Sequence, residues 1–314
     1  MKLLFLSSDP ISLPSLRVLA AGDISSVSVS GVITGTDRKK GRGKKLQRNP
    51  VAEAAEGFGL PVLQTEKLTA SELENFTPFD MALVFAFGQI LSSKILSLAP
   101  HRFINLHASP LPLLRGASPI ETAIAEGWTE TAVCLMQLVR EMDAGPVAAK
   151  VDIPITSSET GVELRRKVAD SCPTLLSLLS GQSLSWKEQN HSEATWCRKI
   201  TKADGLIDFS MTAKEVVNRA RAFAGWPGSS FLLNGELVKA EQIEMNDQTG
   251  LPGTILEASH RLIIACQDSS VSIKKIQRPT RKMIPFQDFQ NQTPVIEGSR
   301  IDFQKSQPLQ WSKV

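Results

Sequence analysis

Along the first third of the chain, apolar positions come in short runs separated by amphipathic stretches. Residues 2–6 ("KLLFL"), 27–33, 81–87 ("MALVFAF") and 103–106 ("FINL") are rich in apolar or β-branched side chains and have the length of strands. Between them, residues 13–22, 50–59, 69–76 and 92–99 have helical composition. Strand and helix alternate, which predicts parallel βαβ units and an α/β fold: an open, mostly parallel sheet with helices on both faces. Such sheets bind ligands beyond the carboxyl ends of their strands, near the switch in strand order. Asn105, His107 and the loop after them occupy that kind of position.

Further on, the pattern predicts a helix at 118–126, strands at 131–139 and 146–155, and a longer helix from Glu159 to Leu179 kinked by Pro173. Residues 181–198 are polar and aperiodic, as in a linker. After a helix at 211–223 the chain turns to short strands punctuated by turns. Asn234-Gly235 between two apolar runs is a strong hairpin signal. A small β-barrel or sandwich is expected there. The division this suggests is a catalytic domain over 1–184, a linker over 185–204 and a β-barrel domain over 205–314.

Composition narrows the class. The length of 314 residues, with 42% apolar and 21% charged residues, fits a two-domain globular protein, and no apolar segment approaches the roughly 20 residues of a membrane span. The N-terminal apolar run is interrupted by Asp9 and two prolines, so it reads as a buried first strand rather than a signal peptide. Four cysteines without paired spacing argue against a zinc cluster or a disulfide framework and for a reducing, cytoplasmic setting. Neither a Walker A spacing nor Gly-x-Gly-x-x-Gly occurs, so no nucleotide cofactor is implied. The net charge of +3 says little, but residues 38–48, "RKKGRGKKLQR", carry seven basic residues and no acidic one. This reads as a mobile, solvated loop whose glycines let it mould against a partner.

The candidate chemistry lies in "FINLHASPLPLLRGASP", residues 103–119. Asn105 and His107 are two apart, so in an extended segment both side chains lie on one face while Leu106 points to the core. An amide and an imidazole together can hold a carbonyl oxygen. Asp143, in the turn "MDAG" after the apolar strand 131–139, supplies a carboxylate able to orient the imidazole and favour its charged form. Each residue also has a plain structural use, a polar strand end for His107 and turn formation for Asn105 and Asp143. His101, His191 and His260 have no motif around them and read as surface or structural positions.

The pattern "INLHASPLPLLRGASP" followed by "MDAGPV" resembles the 10-formyltetrahydrofolate-dependent formyltransferases, whose motif is Asn-x-His-x-Ser-Leu-Leu-Pro with a downstream Asp; Asn105, His107, Ser109, Pro112 and Asp143 match it. The basic segment near residue 40, "KITKADGLIDFS", "RAFAGWPGSSF" and "IQRPTRKMIPFQDFQ" resemble the members that act on methionyl initiator tRNA, the last standing where the family has its final strand and a basic, Met-containing turn. The likeness covers nearly the whole chain. It implies a Rossmann-like formyltransferase domain followed by an oligonucleotide-binding-like barrel, and formyl transfer from 10-formyltetrahydrofolate to methionyl initiator tRNA without a metal. It further implies Asn105, His107 and Asp143 as catalytic residues and a folate site at Ser109, Pro110, Leu111 and Pro112, helped by Ala86–Leu91. Arg42 would make the key tRNA contact, with Lys39, Lys40, Lys44 and Lys45 as sequence-blind attraction to phosphates. A monomer with no membrane partner is expected.

The chain departs from the family pattern in Ser7–Ser12 where Gly-Thr-Pro is usual, in Pro110 for the first Leu, in Leu113-Leu114 where Arg and an aromatic are common, and in Trp196 for Tyr. Two other readings compete: a folate enzyme acting on a small amine, glycinamide ribonucleotide or an amino-sugar nucleotide, and a non-catalytic RNA-binding protein on the same scaffold. The basic loop and the second barrel count against the first, and the intact Asn105, His107 and Asp143 against the second.

Overall fold

A computed structural model describes residues 1–40, 45–99, 102–180 and 184–312, with Lys40 as backbone only. The chain begins β1 (Lys2–Leu6), α1 (Leu13–Ala21), β2 (Ser28–Thr34), a two-stranded ribbon β3 (Arg38–Lys40) and β4 (Lys45–Gln47), α2 (Pro50–Gly57) and β5 (Val62–Gln64). It continues through α3 (Ala70–Glu74), β6 (Met81–Val84), α4 (Ser93–Leu98) and β7 (Phe103–His107). After β8 (Arg115–Gly116) come α5 (Pro119–Ala125), β9 (Glu130–Gln137), β10 (Val147–Pro154) and α6 (Gly161–Leu176).

The first sheet has the order β10-β9-β7-β6-β1-β2-β5. Strands β5 to β7 are parallel, as the alternation predicts, while β9 runs antiparallel to β7 and β10 antiparallel to β9. The order reverses between β1 and β6, so β7 lies one strand beyond the switch. One face, with Phe5, Leu83, Ile104 and Leu106, packs under α1, α5 and α6; the other, with Leu6, Val84 and Phe103, packs under α3 and α4. Several helices begin where a side chain satisfies their free N–H groups. Asn49 caps α2, and Thr69 with Glu72 and Thr160 with Glu163 form capping boxes for α3 and α6. Pro173 lies in the last turn of α6, which ends three residues later rather than at Leu179.

The polar stretch read as a linker contains a strand, β11 (Thr195–Cys197). Beyond it α7 (Ala213–Ala222), with its own Thr212–Glu215 capping box, packs on an antiparallel sheet. That sheet orders β12 (Ser229–Leu233), β13 (Glu236–Asn246), β14 (Ile255–Ala258), β15 (Leu262–Ala265) and β16 (Ser270–Gln277) as β12-β13-β16-β15-β14, with β17 (Ile284–Pro285) on β16. It curls into a half-barrel around Phe209, Phe231 and Ile273. Asn234 and Gly235 both take positive φ, 52° and 77°, as a two-residue hairpin turn requires. The stretch likened to a last strand and a basic turn, residues 276–290, runs on into helix α8 (Phe286–Gln292), with Phe286 and Phe289 one turn apart and both buried. The tail returns as β18 (Gln310–Ser312), which pairs with β11, and β11 in turn pairs with β8. This third sheet ties the tail and the middle of the chain to the loop after β7. No helix among the described residues is long and apolar enough to cross a membrane.

Candidate active site

Strand β7 sets the first two groups. Ile104 and Leu106 point into the core under α1, α5 and α6, so Asn105 and His107 stand on the opposite face, both buried. Asn105 lies between Val84 and Met136, and His107 opposite Cys134. Burial pushes the Cys134 thiol up to about 11, so a neutral thiol adjoins the imidazole. The Asn105 amide makes no hydrogen bond to another described residue.

Asp143 reaches His107 by a route the alternating pattern does not predict. Because β9 is antiparallel, its carboxyl end lies beside Ile104, at the far end of β7 from His107. The connection to β10 folds back, bringing Asp143 Oδ2 to 3.7 Å from His107 Nδ1, where it also accepts a 2.8 Å hydrogen bond from Gly116 N. The 3.7 Å separation is ion-pair range, beyond a hydrogen bond. His107 Nε2 is 3.1 Å from the Leu114 carbonyl. A carbonyl only accepts, so Nε2 carries a proton. Three non-glycine residues around this point have left-handed backbone, Ala86 (φ 48°), Leu114 (φ 53°) and Asp143 (φ 52°), a strained state that clusters at functional sites.

The loop between β7 and β8 is closed by its own groups. Ser109 is buried and donates its hydroxyl to Leu113 O at 2.6 Å, while Pro110, Leu111 and Pro112 are half-buried. Thr195, just ahead in β11, accepts from Leu114 N through its hydroxyl at 2.9 Å and donates its own N–H to Pro112 O at 3.3 Å.

The basic segment is not the plain loop the composition suggests. Its arms form the ribbon β3–β4, pairing Arg38 with Gln47 and Lys39 with Leu46. The ribbon rises from the carboxyl end of β2, and its base is fixed by Asp37, whose Oδ1 accepts from Gln64 Nε2 at 2.7 Å and Asn49 N at 2.9 Å. Those two donors hold the Asp37 carboxyl below its ordinary range. Lys39 and Lys45 are exposed; Arg42 and Lys44 lie outside the described residues, and of Lys40 only the strand position is described. His107 and this ribbon therefore share one edge of the sheet.

Comparison with known proteins identifies the family of the chain. The family described as formyl transferase matches residues 1–178, and its C-terminal domain matches residues 199–294. The chain belongs to the formyl transferase family. It is 35% identical over 316 residues to the methionyl-tRNA formyltransferase of Sulfurihydrogenibium sp., covering 96% of this chain and 100% of the relative. It is 36% identical over 307 residues to that of Acidiphilium cryptum, with the same coverage of 96% and 100%. Among solved structures, the N-formyltransferase from Helicobacter canadensis in complex with folinic acid and dTDP-3-aminofucose superposes with a TM-score of 0.67 at 18% identity, covering 87% of this chain and 98% of that one. The last likeness is one of fold.

Within this formyl transferase framework the structure adds residues that the sequence pattern did not single out. Arg115 is buried, its guanidinium 5.6 Å over the Trp196 ring, and donates to Gln189 Oε1 from Nε at 3.1 Å and Nη2 at 2.6 Å. His191, expected as a surface or structural residue, faces the same Nη2 through Nδ1 at 3.1 Å. A guanidinium only donates, so that nitrogen is the acceptor. Gln189 and His191 come from an aperiodic polar stretch that carries no local signal. Arg115 stands six residues past Ser109, outside the motif's matched positions. Chemically, the site offers an unengaged amide donor, a protonated imidazole nitrogen and a carboxylate on one sheet face, a set suited to stabilising negative charge on a carbonyl oxygen and passing a proton.

Proposed function

We propose that the chain transfers the formyl group of 10-formyltetrahydrofolate to the α-amine of methionine esterified to initiator tRNA, as a cytoplasmic enzyme of translation initiation. The observation that carries the acceptor is full-length similarity, at 35–36% identity, to proteins named methionyl-tRNA formyltransferase. An amino-sugar acceptor lacks such support, since the likeness to the Helicobacter canadensis enzyme is 18% in sequence.

In this reading the neutral amine attacks the formyl carbon, a new C–N bond forms, and the bond from that carbon to the folate N10 breaks; the proton leaving the amine ends on N10. The Asn105 amide is already available to the oxygen that becomes negative. His107 Nε2–H joins it by exchanging the Leu114 carbonyl for that oxygen, and Asp143, facing Nδ1, keeps the ring oriented for it. Ser109 shapes the folate loop from within, and Pro110, Leu111 and Pro112 present its partly exposed surface to the folate. The β3–β4 ribbon brings Lys39 and Lys45 to the phosphates of the acceptor stem, with Lys40, Arg42 and Lys44 as further contacts from the same segment.

Purified protein is expected to formylate methionyl initiator tRNA in preference to elongator methionyl-tRNA and small amines. Asn105→Ala, His107→Ala and Asp143→Ala should each lower kcat by about 100-fold or more with the fold intact. Two of the three retaining a near-normal rate would reject the assignment.

A further inference from the structure

We infer that Gln189 is a positioning residue for the transfer step, acting through Asp143. The inference rests on the role proposed above for Asp143. Asp143 sits at φ 52°, a conformation an aspartate keeps only when its surroundings hold it there. Gln189 does the holding. Its Nε2 donates to Asp143 O at 2.9 Å and to Gly145 O at 2.7 Å, bridging both sides of Ala144, while its Oε1 accepts both guanidinium hydrogen bonds from Arg115. Because carbonyls only accept and a guanidinium only donates, the amide has a single orientation and every polar atom of it is committed.

Arg115 closes the circuit. The next residue, Gly116, donates its N–H to Asp143 Oδ2, so β8 grips the Asp143 carboxylate directly and the Asp143 main chain through Gln189. The stretch around Gln189 is itself anchored to the sheet, since Lys187 and Val147 exchange N–H to O=C hydrogen bonds of 2.9 and 3.0 Å. Gln189 makes no hydrogen bond to Asn105 or His107; it meets the site at the Asp143 turn and at Arg115, the neighbour of Leu114 whose carbonyl faces His107 Nε2. Without it, the turn is free to leave the left-handed state and carry Oδ2 away from His107.

The route through Asp143 is testable by a double-mutant cycle on the full-length protein, with kcat and KM for formyl donor and tRNA measured in wild type, Gln189→Met, Asp143→Asn and the double variant. Gln189→Met should lower kcat by about tenfold or more while both KM values stay within about twofold. In the Asp143→Asn background the same change should alter kcat by less than about twofold. A normal rate for Asp143→Asn overturns the role of Asp143 and this inference with it. A slow Asp143→Asn beside a normal Gln189→Met overturns the inference alone, as do losses that multiply in the double variant. Gln189→Glu keeps the volume and the Arg115 contact but turns acceptors toward two carbonyls. It is expected to fold and to be slow, and if Gln189→Met does not fold, a normal rate in Gln189→Glu overturns the inference.

Discussion

Replacing Asp204 by asparagine probes how the middle of the chain is fastened to its tail. Asp204 is buried in the single turn Lys202–Gly205 just past β11. Its Oδ2 accepts from Arg198 Nη1 at 2.8 Å, Thr201 N at 2.7 Å and the Thr201 hydroxyl at 2.8 Å, its Oδ1 pairs with Arg198 Nη2, and Arg219 Nη2 stands 3.8 Å away. Arg198 also donates Nε to Pro308 O at 2.8 Å, so β11, the turn and the tail form one cluster. Burial pushes the Asp204 carboxyl up, but the donors from Arg198 and Thr201 outweigh it and hold it at about 2, against an ordinary 3.8. At about 1.4 kcal/mol per tenfold, that difference stabilises the folded chain by roughly 2.5 kcal/mol at neutral pH. A lowered folded-state value means the contribution is complete above the unfolded value and is lost as pH falls from about 5 toward 2. Urea unfolding followed by tryptophan fluorescence, at several pH values, should show Asp204→Asn less stable by about 2 kcal/mol at pH 7, with the gap closing toward pH 2. A gap below about 0.5 kcal/mol at pH 7, or one constant between pH 2 and 5, would refute the reasoning.

Two further substitutions test the site's supports. Gly116 has φ 119°, and a Cβ there would lie 2.2 Å from Cys197 O, so Gly116→Ala must part β8 from β11. It should cost about 2 kcal/mol or more in denaturant unfolding and also depress kcat, because Gly116 N leaves Asp143; wild-type values in both would contradict the packing described. Lys39→Ala with Lys45→Ala should raise KM for tRNA while leaving kcat near normal, and should reduce the slope of log affinity against log salt by about two. An unchanged slope would remove these lysines from the phosphate contacts.

What the sequence revealed follows from the range of the forces involved. A short apolar run is a local signal, so β1, β6 and β7, like the Asn234-Gly235 hairpin, were legible from neighbouring positions. Elements too short to show a period were not. Strand β5 is three residues long. Helix α8 is seven, and its buried Phe286 and Phe289 fit a helix only once the turn between them is known. The ribbon β3–β4 has no apolar alternation because its charges face solvent, and its backbone pairing is invisible to composition. Direction was also hidden: an apolar run reads the same parallel or antiparallel, so the reversal at β9 that sends Asp143 back along β7 had no signature.

For the site itself, the division runs between groups on one strand and groups joined across the chain. Asn105 and His107 share a face by the two-residue period alone, which made their pairing readable. The supports of Asp143 are joined over long separations, since Arg115 and Gln189 are 74 residues apart and Gln189 and Asp143 are 46 apart. Buried polar groups like these must find partners wherever the fold provides them, and the partners need not lie near in sequence. An arginine buried beside an aromatic and an amide with every polar atom committed are therefore better guides to the carboxylate's geometry than the motif around it. It follows that a stretch lacking periodicity is not thereby passive: within residues 187–196, Lys187 bridges to Val147 of the first sheet, Gln189 meets the Asp143 turn and Arg115, and Trp196 pairs with Arg115 in β8.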